Sequence, residues 1–135
     1  MPILVDTGIL YAAADAGDAW HPRVRDWLES NVEPLLVPIT VVPEITYLLA
    51  VRLGADAERA FVSSMAAGEL GLEGVTRADV ERCRTLLDAY PQIGFVDASV
   101  IAVGERLGVR VVATTDRRHF ARVRPRHVAA FELVP

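Results

Sequence analysis

The chain has 135 residues, of which 52% are hydrophobic and 24% charged, a composition that predicts one globular domain over residues 1–135 with a sizeable core. Its net charge of −4 argues against binding nucleic acid by bulk attraction, and the absence of lysine among its 14 basic residues excludes a Walker-type phosphate-binding loop. Because Cys83 is the only cysteine and no apolar stretch approaches the roughly 20 residues that span a bilayer, we expect a cytoplasmic protein without an internal disulfide, a signal peptide or a membrane span.

Short apolar runs alternate with helical periodicity along the chain, a pattern typical of βα units. In chain order the predicted elements are a strand at 3–5, helices at 9–14 and 19–31, a strand at 35–38, helices at 41–53 and 55–67, a strand at 69–73, helices at 77–89 and 95–107, a strand at 109–113, a short turn or helix through 120 and a strand at 128–134. Three end signals support these bounds: Thr40 as an N-cap, Thr76 with Asp79 as a capping box, and Gly108 as a C-terminal stop.

Four acidic residues lie in apolar surroundings where a charge is unusual. Asp6 follows the first strand and Asp116 follows the strand at 109–113, and ligands of open parallel sheets bind beyond such carboxyl ends. Glu44 and Asp97 lie in the first turns of apolar helices, where an unpaired carboxylate is costly to bury. Each residue alone also fits a helix-start role, because Asp is a good N-cap and carboxylates favour the positive end of the helix dipole.

As a set, the four carboxylates indicate a metal site. Oxygen ligands suit Mg²⁺, which takes carboxylates together with waters and phosphate oxygens. Two such ions about 4 Å apart can orient a water and stabilise both the attacking and the leaving oxygen in phosphodiester cleavage. Two divalent ions would also cancel the net charge of −4, so that the loaded protein need not repel a polyanion. The carboxylates are 38, 53 and 19 residues apart, so only the fold can bring them together.

Four segments contain these carboxylates: Val5-Asp6-Thr7, Pro43-Glu44-Ile45, the run VDASVIA at 96–102 and the run ATTDRRHF at 113–120. In series they resemble the PIN-domain family, and in particular the VapC toxins of bacterial toxin–antitoxin pairs. The resemblance implies a three-layer α/β/α sandwich with a short, mainly parallel central sheet. It also implies a Mg²⁺- or Mn²⁺-dependent endoribonuclease that cleaves RNA phosphodiesters, forms a homodimer and is inhibited by a cognate VapB-type antitoxin in the active-site groove.

The resemblance also implies roles for individual residues. The acidic quartet of the family matches Asp6, Glu44, Asp97 and Asp116, which would be catalytic residues and metal ligands. The hydroxyl of Thr114 matches a position that supports the site, and Thr7 is a second candidate for that role. Many PIN domains have a further acidic residue shortly after the last Asp, whereas this chain has the run Arg117-Arg118-His119 there.

Five of the 14 arginines lie within residues 117–126, directly after Asp116. Arginine suits bidentate contacts with phosphate, so we interpret Arg117, Arg118 and Arg122 as RNA-binding residues. The alternative is a solvated or salt-bridged surface. His119 and His127 could help to bind phosphate, but a lone histidine on a surface turn is more often incidental. The spacing of the three histidines and Cys83 does not indicate zinc.

Two other functions stay open on the sequence alone. A PIN-like domain with the same carboxylates in partly structural roles would bind RNA or a protein partner without cleaving. A small-molecule phosphohydrolase on a related α/β scaffold is disfavoured, because Gly8 occupies the position where an Asp-x-Asp nucleophile motif starting at Asp6 needs its second Asp.

Overall fold

A computed structural model describes all residues from 1 to 135. Its five strands are β1 (Ile3–Val5), β2 (Leu35–Pro38), β3 (Gly71–Glu73), β4 (Val111–Ala113) and β5 (Glu132–Val134). Its seven helices are α1 (Thr7–Ala14), α2 (His21–Ser30), α3 (Val41–Arg52), α4 (Ala55–Ala66), α5 (Arg77–Ala89), α6 (Phe95–Leu107) and α7 (Arg117–Arg122). None of these helices is long and apolar enough to cross a membrane.

The strands form one parallel sheet in the order β3-β2-β1-β4-β5. β1 lies at its centre, with Val5 opposite Ala113 of β4 and Ile3 opposite Leu35 of β2. All three residues of β1 are buried, which is typical of a parallel strand covered on both faces. Since parallel strands end at the same edge of the sheet, the residues that follow β1, β2 and β4 are neighbours in space.

The helices pack in two groups that flank the sheet. α1 packs against α2 and α3, and α3 packs against α4, whereas α5 packs chiefly against α6. α6 is the most deeply buried helix, with a continuous buried run from Ala98 to Gly104. The predicted three-layer α/β/α sandwich is confirmed, and its central sheet is entirely parallel.

The element types predicted from the sequence match the structure, while several ends differ by a few residues. α1 begins at Thr7, two residues before the predicted start, because the Asp6 side chain caps it. The capping box of Thr76 and Asp79 is present, and Gly108 adopts the left-handed conformation with φ of 70° that ends α6. The last strand is confined to Glu132–Val134, the only part of the predicted run that pairs with β4.

Thr40 lies at the N-cap position of α3, as predicted, but its side chain does not cap the helix. Its backbone is already helical, with φ of −66° and ψ of −24°, and its side chain makes no capping hydrogen bond. Instead its hydroxyl lies 2.5 Å from the hydroxyl of Ser99 in α6. Ser99 donates to the carbonyl of Val96, so Thr40 is the donor in this pair. The contact joins the start of α3 to the start of α6.

Gly104 sets the close approach of α6 to the central strand. A Cβ at this position would lie 2.9 Å from Cδ1 of Leu4 and 3.2 Å from the ring of Phe131. Both neighbours are buried, so neither side chain has free space to move into. A side chain larger than hydrogen would therefore push α6, and with it Asp97, away from β1.

We predict that Gly104→Ala lowers the free energy of unfolding by about 1 kcal/mol. Alanine favours a helix over glycine by about 1 kcal/mol, but overpacking a filled core costs about 1–3 kcal/mol, and here the overpacking is the larger effect. Urea unfolding followed by circular dichroism measures the difference. A gain in stability would show that α6 is not held at this distance by close packing.

Candidate active site

Asp6 is a buried carboxylate with two separate partners. It follows β1 and is only 6% exposed. Its Oδ1 accepts a hydrogen bond of 3.2 Å from the backbone N–H of Ile9, which caps α1. Its Oδ2 accepts a short hydrogen bond from the hydroxyl of Thr114. The cap and the site are therefore compatible roles, because each uses a different oxygen.

Thr114 joins the ends of β1 and β4. Its backbone N–H donates to the carbonyl of Val134, which holds it in the sheet, and its side chain is fully buried. The hydroxyl donates to Asp6 and accepts the backbone N–H of Asp116 at 2.9 Å. The same oxygen thus contacts two candidate residues that are 110 positions apart in the chain. The supporting role predicted for Thr114 agrees with these contacts.

Asp97 reaches the cluster from the first turn of α6. It lies beside the Ser99–Thr40 contact, which fixes the start of α6 against the start of α3. Its side chain is 28% exposed, so it faces both the cluster and solvent. Sequence reasoning missed the link between Ser99 and Thr40, because the two hydroxyls are 59 residues apart and neither belongs to a recognisable local motif.

His119 is a member of this cluster that the sequence analysis treated as incidental. Its Nδ1 lies 2.7 Å from Oδ2 of Asp116 and 3.7 Å from Oδ2 of Asp97. One ligand atom from each of these three residues lies within 4.8 Å of the others. The sequence signal for His119 is its distance of three residues from Asp116. In α7, Asp116 is the N-cap and His119 is the third residue of the helix, so the two side chains lie close together.

The crowding of carboxylates changes their acidity. Burial raises the pKa of Asp6 from 3.8 to about 7, against the hydrogen bonds from Thr114 and Ile9, and the charges of Asp97 and Asp116 add to the rise. Burial also raises the pKa of Asp97, with further contributions from the charges of Asp116 and Glu44. The folded protein therefore holds these carboxylates close together at a cost, and a bound cation would offset that cost.

Glu44 and Thr7 differ in placement from the other predicted residues. Glu44 is exposed in the first turn of α3 and makes no hydrogen bond or ion pair, but its negative charge contributes to the raised pKa of Asp97. The hydroxyl of Thr7 is buried without a hydrogen-bond partner and does not contact the carboxylates. The structure thus brings Asp6, Asp97 and Asp116 together, with Glu44 at the edge of the cluster.

The three predicted RNA-binding arginines also separate into two kinds. Arg118 and Arg122 are exposed and make no ion pair. Arg117 instead directs its guanidinium over the ring of Trp20, 5.9 Å from the centroid, and donates to the carbonyl of Pro135. Arg118 and Arg122 are therefore available to a ligand near Asp116, whereas Arg117 is engaged within the protein.

Gly8 lies where a second nucleophilic carboxylate would be needed for a phosphohydrolase. A Cβ at Gly8 would lie 2.2 Å from Oγ1 of Thr115 and 3.5 Å from its Cβ. Any side chain at this position would displace Thr115 from the loop that precedes Asp116. The structure therefore agrees with the interpretation that disfavoured the Asp-x-Asp chemistry.

The donor set fits a divalent cation. The ligand atoms of Asp97, Asp116 and His119 already lie within one coordination-sized volume, and Asp6 adds a further carboxylate through Thr114. Carboxylate oxygens are the ligands that Mg²⁺ and Mn²⁺ take. Burial, with the charges of the neighbouring carboxylates added, raises the pKa values of Asp6 and Asp97, and a bound cation would favour their ionised forms.

The fold is a parallel α/β sandwich that gathers carboxylates beyond the ends of β1 and β4. A family model described as the PIN domain matches residues 3–125. This chain belongs to the PIN-domain family, and the predicted resemblance is confirmed.

Individual relatives show which members of the family this chain is similar to. The chain is 33% identical to Ribonuclease VapC26 of Mycobacterium tuberculosis, over 98% of this chain and all of that protein. The crystal structure of M. tuberculosis VapC20, a sarcin–ricin loop cleaving toxin, matches with a TM-score of 0.76 and 27% identity, over 82% of this chain and 86% of that one. VapBC2 from Rickettsia felis, bound to a DNA fragment from its promoter, shares the fold with a TM-score of 0.68 and 14% identity, over 98% and 97% of the two chains.

We predict that the metal-free protein loses stability as the pH rises from 5 to 8. The folded pKa of Asp6 is about 7 and the ordinary value is 3.8, so between these values the native state holds a proton that the unfolded chain has released. Stability then falls with rising pH, by up to about 3 kcal/mol over the two pKa units from 5 to 7. Asp6→Asn should flatten this dependence and be the more stable protein at pH 8.

Urea unfolding in the presence of a chelator, repeated at several pH values, measures this effect. Asp26→Asn serves as a control, because Asp26 is exposed on α2 and should leave the pH dependence unchanged. Equal pH slopes for the wild type and Asp6→Asn would contradict the assignment of a strained buried carboxylate at this position.

Proposed function

We propose that this protein is a metal-dependent endoribonuclease and the toxin of a VapBC-type toxin–antitoxin pair. The observation that supports it most directly is the convergence of Asp97 and Asp116 in one group with ligand spacing. Asp6 is joined to this group through Thr114, which donates to Asp6 and accepts from the backbone of Asp116. The 33% identity to a VapC ribonuclease over nearly the whole chain supports the same reaction. RNA is the substrate class in this proposal, and the whole chain, 1–135, acts as one domain.

The metal in this proposal is Mg²⁺ or Mn²⁺, held by Asp6, Asp97 and Asp116 with Glu44 contributing from α3. When bound, such an ion lowers the pKa of a water and stabilises negative charge on a phosphate. The protein's own residues hold the ligands in place. Thr114 fixes the orientation of Asp6, and the N–H of Ile9 holds its other oxygen. The short connections from β1 and β4 leave these side chains little freedom.

Contacts with RNA in this proposal come from the exposed face of α7. Arg118 and Arg122 follow Asp116 closely and have no competing carboxylate partner. A guanidinium donates paired hydrogen bonds to phosphate oxygens. Both side chains would therefore bind phosphates of the RNA backbone on either side of the scissile bond. Arg117, held by Trp20 and Pro135, would act on the position of α7 and not on RNA directly.

An antitoxin partner accounts for the apolar surface of α3 and α4. Tyr47 and Val51 on α3 are 66% and 63% exposed, and Val62 on α4 is 46% exposed. The protein also has a groove lined almost entirely by apolar residues, among them Leu49 of α3 and Phe61 of α4. Exposed apolar surface of this kind marks an interaction site, and an apolar segment of a VapB-type antitoxin would cover it. We place the protein in the cytoplasm. We also propose a homodimer, as the toxin–antitoxin neighbours suggest.

We predict that Asp97→Asn and Asp116→Asn each lower metal-dependent RNA cleavage by more than about a hundredfold, because each removes a charged ligand from the cluster. Antitoxin-free protein would be incubated with a cellular RNA pool in Mg²⁺, in Mn²⁺ and in chelator. Asp88→Asn is the matched control, since Asp88 is exposed on α5 and makes no contact with the cluster. Circular dichroism checks that every variant is folded.

Each outcome of this experiment separates two functions. Cleavage that needs metal and disappears in both cluster variants supports the nuclease. Cleavage that survives in both variants contradicts the assigned site. Folded wild-type protein that binds RNA but cuts nothing under any condition would favour a PIN-like domain that binds without cleaving.

We predict that the double variant Arg118→Gln/Arg122→Gln binds single-stranded RNA about tenfold more weakly at low salt. Each phosphate contact with a single strand contributes about 0.7 to the slope of log affinity against log salt, so losing two contacts reduces that slope by about 1.4. Fluorescence anisotropy at several salt concentrations, in chelator to prevent cleavage, measures both quantities.

The control for this prediction removes the same charge elsewhere. Arg77 and Arg84 are exposed on α5 and make no ion pair. Their double Gln variant should keep the wild-type salt slope. Equal losses in the two double variants would show that RNA responds to net charge and not to the surface of α7.

A further inference from the structure

We propose that His119 is a nitrogen ligand of the metal, alongside Asp97 and Asp116, and that it makes the site select a transition-metal ion such as Mn²⁺ over Mg²⁺. This inference rests on the proposed function for the presence of a metal. It concerns a residue outside the acidic quartet. It names the class of metal that the quartet alone leaves open.

The first argument is the environment of Nδ1. This atom of His119 is buried and has no hydrogen-bond partner, although Oδ2 of Asp116 lies only 2.7 Å away. The approach has the distance of a hydrogen bond but not its direction. A second carboxylate oxygen, from Asp97, lies 3.7 Å from the same nitrogen. A cation among these three atoms would accept the nitrogen lone pair and neutralise both carboxylate oxygens.

The second argument is the way in which the ring is held. His119 is at position N3 of α7, and its backbone N–H donates to Oδ1 of Asp116 at 3.3 Å. The helix cap therefore uses one oxygen of Asp116 and leaves Oδ2 facing the imidazole. The backbone of Asp116 is in turn fixed by Thr114. The imidazole and both carboxylates thus converge from α6 and α7 without any rearrangement of the chain.

The third argument is the chemistry of the donors. Mg²⁺ takes oxygen ligands and keeps several waters, whereas imidazole nitrogen suits first-row transition metals, for which the affinity of a nitrogen-containing site rises from Mn²⁺ towards Cu²⁺. A carboxylate in place of His119 would give an all-oxygen set suited to Mg²⁺. An imidazole there weakens the site for Mg²⁺ and strengthens it for a transition-metal ion.

The test measures metal binding directly, on protein without a histidine tag. Calorimetric titration with Mn²⁺ and with Mg²⁺ gives the two affinities, and pulsed electron paramagnetic resonance of bound Mn²⁺ detects a coordinated nitrogen. We expect a nitrogen signal in the wild type that is absent in His119→Asn. We also expect His119→Asn to lose about tenfold or more in Mn²⁺ affinity and less than about threefold in Mg²⁺ affinity.

Two further variants keep the result interpretable. His119→Asp gives an all-oxygen set of ligands and should reduce the ratio of Mn²⁺ to Mg²⁺ affinity. It replaces His119→Asn as the test variant if His119→Asn fails to fold. His127→Asn removes an imidazole whose Nε2–H donates to the carbonyl of Val109, away from the carboxylates, and should change neither affinity nor the nitrogen signal.

Opposite results would overturn the proposal. If His119 acts only as a cation paired with the carboxylates, His119→Asn will bind Mn²⁺ as tightly as the wild type or more tightly, and the wild type will show no nitrogen signal. RNA cleavage that depends on metal would then stand without this ligand. If the wild type neither binds Mn²⁺ or Mg²⁺ nor cleaves RNA, the proposed function itself fails.

Discussion

The hydroxyl of Thr114, which donates to Asp6 and accepts from the backbone of Asp116, is the contact on which the arrangement of the site depends. It exists because β1 and β4 are adjacent parallel strands with Val5 opposite Ala113. That register places the first polar residue after each strand at the same edge of the sheet. A shift of β4 by one residue would turn Thr114 to the other face and separate the two carboxylates.

The carboxylates of the site repel one another, and hydrogen bonds and the surrounding packing hold them in place. Burial and mutual repulsion raise the pKa values of Asp6 and Asp97, so the ionised cluster weakens the metal-free fold. The close packing of α6 on β1 at Gly104 and the buried run from Ala98 hold Asp97 in place against that repulsion. Strain of this kind is common at functional sites, where ligands must be positioned before the cation arrives.

Local sequence signals predicted the parts of this arrangement that depend on local structure. Asp6 and Asp116 follow apolar strands, and the edge of a parallel sheet brings such positions together, so the strand order alone places them. Thr40 and His119 could not be placed in this way. The partner of Thr40 is a serine 59 residues away, and the direction of the His119 ring depends on how α7 packs after Asp116. The partner of Thr40 is set by a tertiary contact that no local spacing signals. The spacing of His119 from Asp116 signals only that both lie in the first turn of a helix.

In the proposed function, the carboxylates beyond β1 and β4 bind the metal that the reaction needs. Anomalous scattering from a crystal of the protein grown with Mn²⁺, collected on both sides of the manganese absorption edge, tests it most directly. We expect a manganese peak within the cluster formed by Asp6, Asp97 and Asp116. Manganese bound only elsewhere on the protein, with these carboxylates ordered and free of metal, would contradict it.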